Sequence, residues 1–147
     1  MTEFQIENHV YRAGAMDAFT QLAVASKVSP LLASGFGELF PFFMRMRKEG
    51  ITNIADVPLK EATSMLTPVA HELAAMTEED RRFIIGACLS ICERQEVGKK
   101  NWNPLWNAAA GGPAHKDINE DAFLMIKIVL SVLQGKLGRF FPADLFK

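Results

Sequence analysis

Two periodicities of apolar residues follow one another along the chain. Near the start, Phe4 and Ile6 alternate with polar residues, and Asn8-His9 offers a turn before Val10-Tyr11-Arg12. Alternation with a period of two is typical of a strand that is buried on one side, so residues 1–13 are predicted to form a short β-hairpin. No further strand is expected after it.

From Ala15 onward, apolar residues recur at the three- and four-residue spacing of helices. The first helix has only a narrow polar stripe and is expected to be largely buried, with a kink or an end near Pro30. Four more helices are predicted: Glu38–Lys48, Asp56 to about Met76 with a bend at Pro68, a helix capped by Thr77 that continues to Cys92, and a last helix capped by Asn119-Glu120-Asp121. The predicted fold class is mostly α, a single-domain bundle of about five helices over residues 1–147 with the short N-terminal hairpin.

The last predicted helix is apolar around most of its circumference. Its polar residues Lys127, Ser131 and Gln134 are spaced as one stripe along one side. Such a helix is expected either to be central in the fold or to be shared with a second copy of the chain. A homo-oligomer is therefore one of the expected partners.

Residues 98–118 are rich in Gly, Pro and Asn and contain both tryptophans, Trp102 and Trp106. This stretch is predicted to be a long connection with a packing role or a function of its own. The two rings are expected to pack against the helical core and so to hold the connection in place. Lys99-Lys100 beside them is the best candidate for nucleic-acid binding in the chain, but two lysines are too few to support it.

The composition fits one ordinary globular domain. The chain has 147 residues, of which 49% are hydrophobic, and 16 Lys and Arg stand against 17 Asp and Glu. Because this balance creates no strong field, neither nucleic acid nor a membrane surface is an expected partner. The apolar stretch 122–133 is shorter than the roughly 20 residues of a membrane span, and the first twenty residues do not resemble a secretion signal.

No motif for catalysis, a cofactor or a metal is found. His9, His71 and His115 are far apart in the sequence, and His71-Glu72 lacks the second histidine of a zinc-protease motif. Cys88 and Cys92 lie four residues apart in a predicted helix, where a disulfide has poor geometry and a reducing compartment fits. We therefore expect a protein that is not an enzyme and has no cofactor and no metal.

Several segments resemble the tail assembly chaperones of long-tailed bacteriophages, and they occur in the same order. They are Tyr11–Ala25 with Ser29-Pro30-Leu31-Leu32, Cys92-Glu93-Arg94-Gln95 at the close of a predicted helix, Trp102–Asn107 in the connection, Asp117-Ile118-Asn119 before the apolar helix, and Leu137–Phe141 near the end. The resemblance extends over nearly the whole chain. It depends on the succession of these segments, since none carries a catalytic signature.

This resemblance implies a non-catalytic role in the cytoplasm of the bacterial host. Such chaperones bind the long helical tape-measure protein, keep it soluble, give way to tail-tube subunits, and are absent from the finished virion. Flexible Met and large Phe side chains suit a surface that accepts amphipathic helices. The candidate partner-binding residues are Phe40, Phe43, Met44 and Met46, followed by Phe140 and Phe141.

Two alternatives from other classes remain open. One is a structural phage component of the head-tail connector type, which would stay in the mature particle. The other is a small helical regulatory or DNA-binding protein, although no basic recognition helix is visible in the sequence. An enzyme ranks below both.

Overall fold

The computed structural model describes residues 2–29, 48, 50, 67 and 70–137. Of these residues, 55% are helical and 21% lie in strands. A four-stranded antiparallel sheet and a two-stranded sheet accompany the helices. The fold is thus a mixture of α and β structure, and the prediction of a mostly α bundle with strands only in the N-terminal hairpin is wrong.

The four-stranded sheet has the order β1-β2-β3-β4. β1 (Thr2–Ile6) and β2 (His9–Ala13) form the hairpin at the start of the chain, with Phe4 opposite Tyr11. The sheet then continues with β3 (Cys92–Gln95) and β4 (Trp102–Pro104), each antiparallel to its neighbour. Phe4 and Tyr11 stack with their ring centroids 5.5 Å apart, and Tyr11 is fully buried.

The sequence predicts that Cys92–Gln95 closes a helix, and this prediction is wrong. The segment is a strand. Four residues are too few for a period of two to show, and three of these four are polar. The strand is stabilised instead by its neighbour, since Arg12 of β2 lies opposite Glu93 and their side chains form an ion pair at 2.9 Å. The partner strand comes from the other end of the chain, which local patterns do not reveal.

The predicted connection 98–118 contains regular structure. Besides β4 it includes β5 (Trp106–Asn107), β6 (Gly112–Pro113) and the beginning of α4 (Lys116–Glu120). The turn between β5 and β6 is closed by Asn107, whose Oδ1 accepts hydrogen bonds from the amides of Ala109 and Ala110 at 3.1 and 3.2 Å.

The two tryptophans of this segment lie in different surroundings. Trp106 packs against the helix Glu78–Ser90, and a Cβ at Gly86 of that helix would come within 3.3 Å of its ring. Trp102 lies under the guanidinium of Arg12, 4.3 Å from the ring centroid. Both rings are half-buried, and both join the segment to the rest of the fold.

Three longer helices accompany the sheet: α1 over residues 18–29, α3 (Glu78–Ser90) and α5 (Ala122–Leu137), with a short helical piece, α2, over residues 70–75. The predicted cap of α3 is confirmed, because the Thr77 side chain accepts a hydrogen bond from the Asp80 amide at 3.2 Å. At the start of α5, the carboxylate of Asp121 accepts from the amides of Phe123 and Leu124.

The prediction that the first helix is largely buried is wrong. Val24 and Val28 of α1 are buried, but Phe19 is 86% exposed and Leu22 is 60% exposed. One face of α1 packs on the core, and the opposite face, which carries both large residues, is open. The apolar spacing identified the helix but did not determine how many of its faces are covered.

The polar stripe of α5 does not face solvent along its length, which fits the expectation that this helix is central in the fold. Lys127 is only 1% exposed, and Ser131 donates a hydrogen bond to its carbonyl at 2.8 Å. Eight residues of the helix are buried, and six of them, including Ile128, Val129 and Val132, belong to the core that α3 and the sheet complete. Lys127, in the middle of a mostly apolar helix, therefore lies within the protein.

Several predictions lie outside the described residues. These are the kink at Pro30, nearly all of the helix 38–48, and the helix from 56 up to residue 70, including the bend at Pro68. The extent of one domain over residues 1–147 also stays a prediction.

Candidate partner-binding groove

A single arginine fixes the corner between α2 and α3. The carbonyls at the end of a helix lack partners within the helix. Arg81 donates from Nη1 to the carbonyls of Leu73, Ala74 and Met76 at 3.2, 3.4 and 3.4 Å. The guanidinium therefore holds the end of α2 against the first turns of α3.

An apolar groove of about 520 Å³ lies between α2, α3 and α5. Among the described residues of its lining, Arg81 is the one with an ionisable side chain. The other lining residues are Ala70, Leu73 and Ala74 of α2, Ile85 of α3, and Ala122, Met125, Ile126 and Val129 of α5. Because α5 is apolar on nearly every side, it contributes both to the core and to this surface.

The groove continues into a smaller cavity of about 220 Å³, which shares Arg81, Ile85 and Met125 with it. Trp106 and Pro113 close the far end of this cavity. Glu78 and Arg82, which pair at 3.0 Å on the outer surface of α3, form its charged rim. Together, the two spaces form a concave, apolar surface with charge at the edge.

A second apolar surface lies on the other side of α3. Phe19 and Leu22 project from the outer face of α1, and a cavity of about 450 Å³ between α1 and α3 is bordered by Phe83. Lys27 joins the two helices, at 2.7 Å from Asp80 and 5.2 Å from the centroid of the Phe83 ring. The exposed face of α1 is convex, since one helix forms it alone.

A cluster of polar side chains joins β3 to the start of α4. Arg94 of β3 bonds to Asp117 at 2.7 Å and to His115 Nδ1 at 3.0 Å. Burial and the Arg94 charge lower the pKa of His115 and that of the nearby His9. Burial by itself would raise the pKa of Asp117, but Arg94 outweighs it and the pKa falls.

The two cysteines are buried and free. Cys88 lies in α3 and Cys92 in β3, where its thiol donates to the Cys88 carbonyl at 3.2 Å. Burial raises the pKa of both thiols, that of Cys92 to about 12. Both are therefore protonated near neutral pH, and neither is an activated nucleophile.

The chemistry of the groove is that of a binding surface. It presents aliphatic groups and one arginine, which is already engaged with three carbonyls. Within residues 2–29 and 70–137, no group of three or more His, Cys, Asp or Glu is placed to hold a metal ion. No helix among these residues has the length and apolarity to cross a membrane.

The six residues that the sequence predicted for partner binding are not among those described. Phe40, Phe43, Met44, Met46, Phe140 and Phe141 all lie outside the described ranges. The groove residues Leu73, Ile85 and Met125 were not predicted. For Met125, the signal in the sequence is the apolar circumference of the last helix, which exceeds what one core face needs. Leu73 and Ile85 lie in other helices, to which this signal does not apply.

Comparison with known protein families identifies the family of this chain. A family model described as phage tail assembly chaperone protein, TAC, matches residues 7–147. The chain belongs to this family. The resemblance noted from the sequence is thereby confirmed. Searches of curated proteins and of solved structures gave no match for this chaperone.

Proposed function

We propose that this chaperone binds the tape-measure protein of its phage without catalysing a reaction. It would keep that protein soluble in the bacterial cytoplasm until tail-tube subunits polymerise around it. Family membership supports a role in tail assembly, and the observation that carries the rest is the apolar groove between α2, α3 and α5. A concave apolar surface suits the apolar face of an amphipathic helix, which is the main regular feature of a long helical client.

The shape and the chemistry of the groove favour it over the outer face of α1. Two walls, α2 with α3 on one side and α5 on the other, allow a client helix to bury side chains from several directions. The convex face around Phe19 covers a partner from one side only. Met125 lies where the groove meets the smaller cavity, and its flexible thioether adapts to many related helical segments.

The Phe and Met residues predicted from the sequence remain part of this proposal. Phe40, Phe43, Met44 and Met46, with Phe140 and Phe141, are candidate contacts that would extend the binding surface beyond the groove. Tail-tube protein is a further candidate partner, at the step in which the client is released.

The test is co-expression with the affinity-tagged tape-measure protein of the same phage. Ala74 and Ala122 are exposed and line the groove, so Ala74→Glu and Ala122→Glu place a charge there with little risk to folding. Ala18→Glu is the matched control, because Ala18 is an exposed alanine in the first turn of α1, as Ala122 is in α5.

We expect wild type and Ala18→Glu to keep the client soluble and to co-purify with it. Ala74→Glu and Ala122→Glu should fold with wild-type circular dichroism and lose most of the co-purifying client. If wild type neither solubilises nor retains the client, the proposed function is wrong. Recovery of the chain from purified virions would instead favour a structural component.

A further inference from the structure

Arg94 connects the sheet to the start of a short helix. Its guanidinium, on β3, donates to Oδ2 of Asp117 at 2.7 Å and to Nδ1 of His115 at 3.0 Å. His115 is the residue before α4, and Asp117 lies in its first turn. The Arg94 side chain is only 13% exposed, but that of Asp117 is 46% exposed, so the bond to His115 is the more shielded of the two.

The bond to His115 exists only when the imidazole is neutral. An arginine always donates, so Nδ1 must present its lone pair, and the ring proton lies on Nε2. Nε2 is buried, and so is the hydroxyl of Tyr11, which lies beside Arg94. A second ring proton, at Nδ1, would therefore face the Arg94 cation in place of accepting its hydrogen bond.

We propose that His115 is an acid-sensitive latch for α4. A proton taken from solvent at Nδ1 replaces the Arg94–His115 hydrogen bond with a contact between two cationic donors. The segment from β6 through α4 then opens from the sheet while the remaining core stays folded.

The groups that surround His115 come from three strands and α4. Arg94 on β3 and His9 on β2 disfavour a charge on the ring, whereas Asp117 on α4 and the Pro104 carbonyl on β4 favour it. Tyr11 of β2 lies beside Arg94 and 6.3 Å from the His9 ring, measured between centroids. With both histidines protonated, the cluster holds three cations against the single anion Asp117, which acidification to pH 5.5 leaves ionised because its pKa is lowered.

The direction of the effect follows from linkage. Burial and Arg94 lower the pKa of His115 in the closed state, whereas the opened segment regains a value near 6.5. The closed state is therefore fully favoured above pH 6.5, and it loses this advantage as pH falls toward the lowered pKa. The same sign applies to His9.

The opening is expected to be local because few contacts hold α4. It has five residues, and its only buried one is Ile118. Its own ion pair, between Lys116 and Glu120, is exposed and 3.8 Å long. Beyond Arg94, the segment is tied by the short pairing of β6 with β5 and by the hydrogen bond from the Ala114 amide to the Leu105 carbonyl at 2.7 Å.

Amide hydrogen exchange by NMR at pH 7.5 and 5.5, corrected for the intrinsic exchange rate, tests the latch. The reporters are the amides of Ala114 and Asn119, which bond to the carbonyls of Leu105 and His115. The reference is the Gly14 amide, which bonds to the Ile91 carbonyl. The opening constant of the reporters should rise by up to about tenfold per pH unit within the window, one proton being taken up, with the reference unchanged.

Two variants separate the latch from a general effect of acid. His115→Asn keeps an acceptor near the position of Nδ1 but does not titrate, so its reporters should keep their protection at pH 5.5. His71→Asn, at an exposed histidine of α2, should behave as wild type. Equal loss at reporters and reference, no loss in wild type, or the same loss in His115→Asn would each overturn the proposal. The test involves no client, so its outcome is independent of the proposed function.

Discussion

Helices α1 and α5 have similar apolar patterns but very different surroundings. The sequence predicts that α1 is largely buried apart from a narrow polar stripe, and that α5 is either central in the fold or shared with a second copy. In the structure, α5 buries even Lys127, whereas α1 leaves Phe19 and Leu22 in solvent. Apolar spacing identifies a helix and its possible core face. How much of the helix is covered depends on the elements that pack around it.

The difference also separates two candidate binding surfaces. Beside α5, neighbouring helices form a groove with walls. On α1, Phe19 and Leu22 stand on a single convex face. We infer that the groove takes the client, and that the exposed residues of α1 contribute little to stability.

The largest expected effect lies in α5. Ile128 is fully buried, so Ile128→Ala should lower the free energy of unfolding by about 2–5 kcal/mol through lost burial and the cavity left behind. Urea denaturation followed by circular dichroism measures the change. A loss below about 1 kcal/mol would contradict the central position of α5, since such a site would have to be exposed or easily refilled.

The next effect is at α3, the helix that packs between the two surfaces. Thr77→Ala removes the acceptor for the Asp80 amide and should cost about 1 kcal/mol. Thr77→Ser keeps a hydroxyl and should restore most of the loss. Equal urea midpoints for the alanine and serine variants would mean that the cap does not stabilise α3.

A smaller effect is expected where α1 joins α3. Lys27 pairs with Asp80 at 2.7 Å and lies over Phe83, but the pair is partly exposed. Lys27→Met should keep the aliphatic contact and lower the urea midpoint slightly. Because salt screens an exposed pair, the difference from wild type should shrink when the ionic strength is raised to about 1 M. A salt-independent difference would argue for a packing role of Lys27 instead.

The smallest effect is expected on the outer face of α1. Leu22→Ala should change the free energy of unfolding by no more than about 0.5 kcal/mol, because the side chain is already 60% exposed. Calorimetry beside Ile128→Ala gives the matched contrast. A loss comparable with that of Ile128→Ala would show that something covers this face in solution.

The sequence predicts local features of this protein better than distant ones. The Thr77 cap depends on residues that are close together in the sequence, and the structure confirms this cap. By contrast, β3 is four residues long and mostly polar, and it pairs with β2 about 80 residues away, so nothing in its own pattern indicates a strand. The burial of Lys127 likewise follows from packing and not from local spacing.

The same limit applies to the candidate site. The groove combines short stretches of three helices, and no single one has a distinctive sequence. Large Phe and flexible Met side chains favour residues such as Phe43 and Phe140 as partner contacts. These residues lie outside the described ranges and stay predictions. The family, in contrast, was accessible from the sequence because the order of many weak segments is specific when they are taken together.

Site-specific photo-crosslinking tests the central claim most directly. A photoreactive phenylalanine analogue replaces Met125 in the groove or, as the control, Phe19 on α1, in chaperone co-expressed with the tape-measure protein. We expect a covalent adduct with the client from position 125 and none, or only a trace, from position 19. An adduct from position 19 alone, or from neither position while the client remains soluble and bound, would contradict the assignment of the groove as the client-binding site.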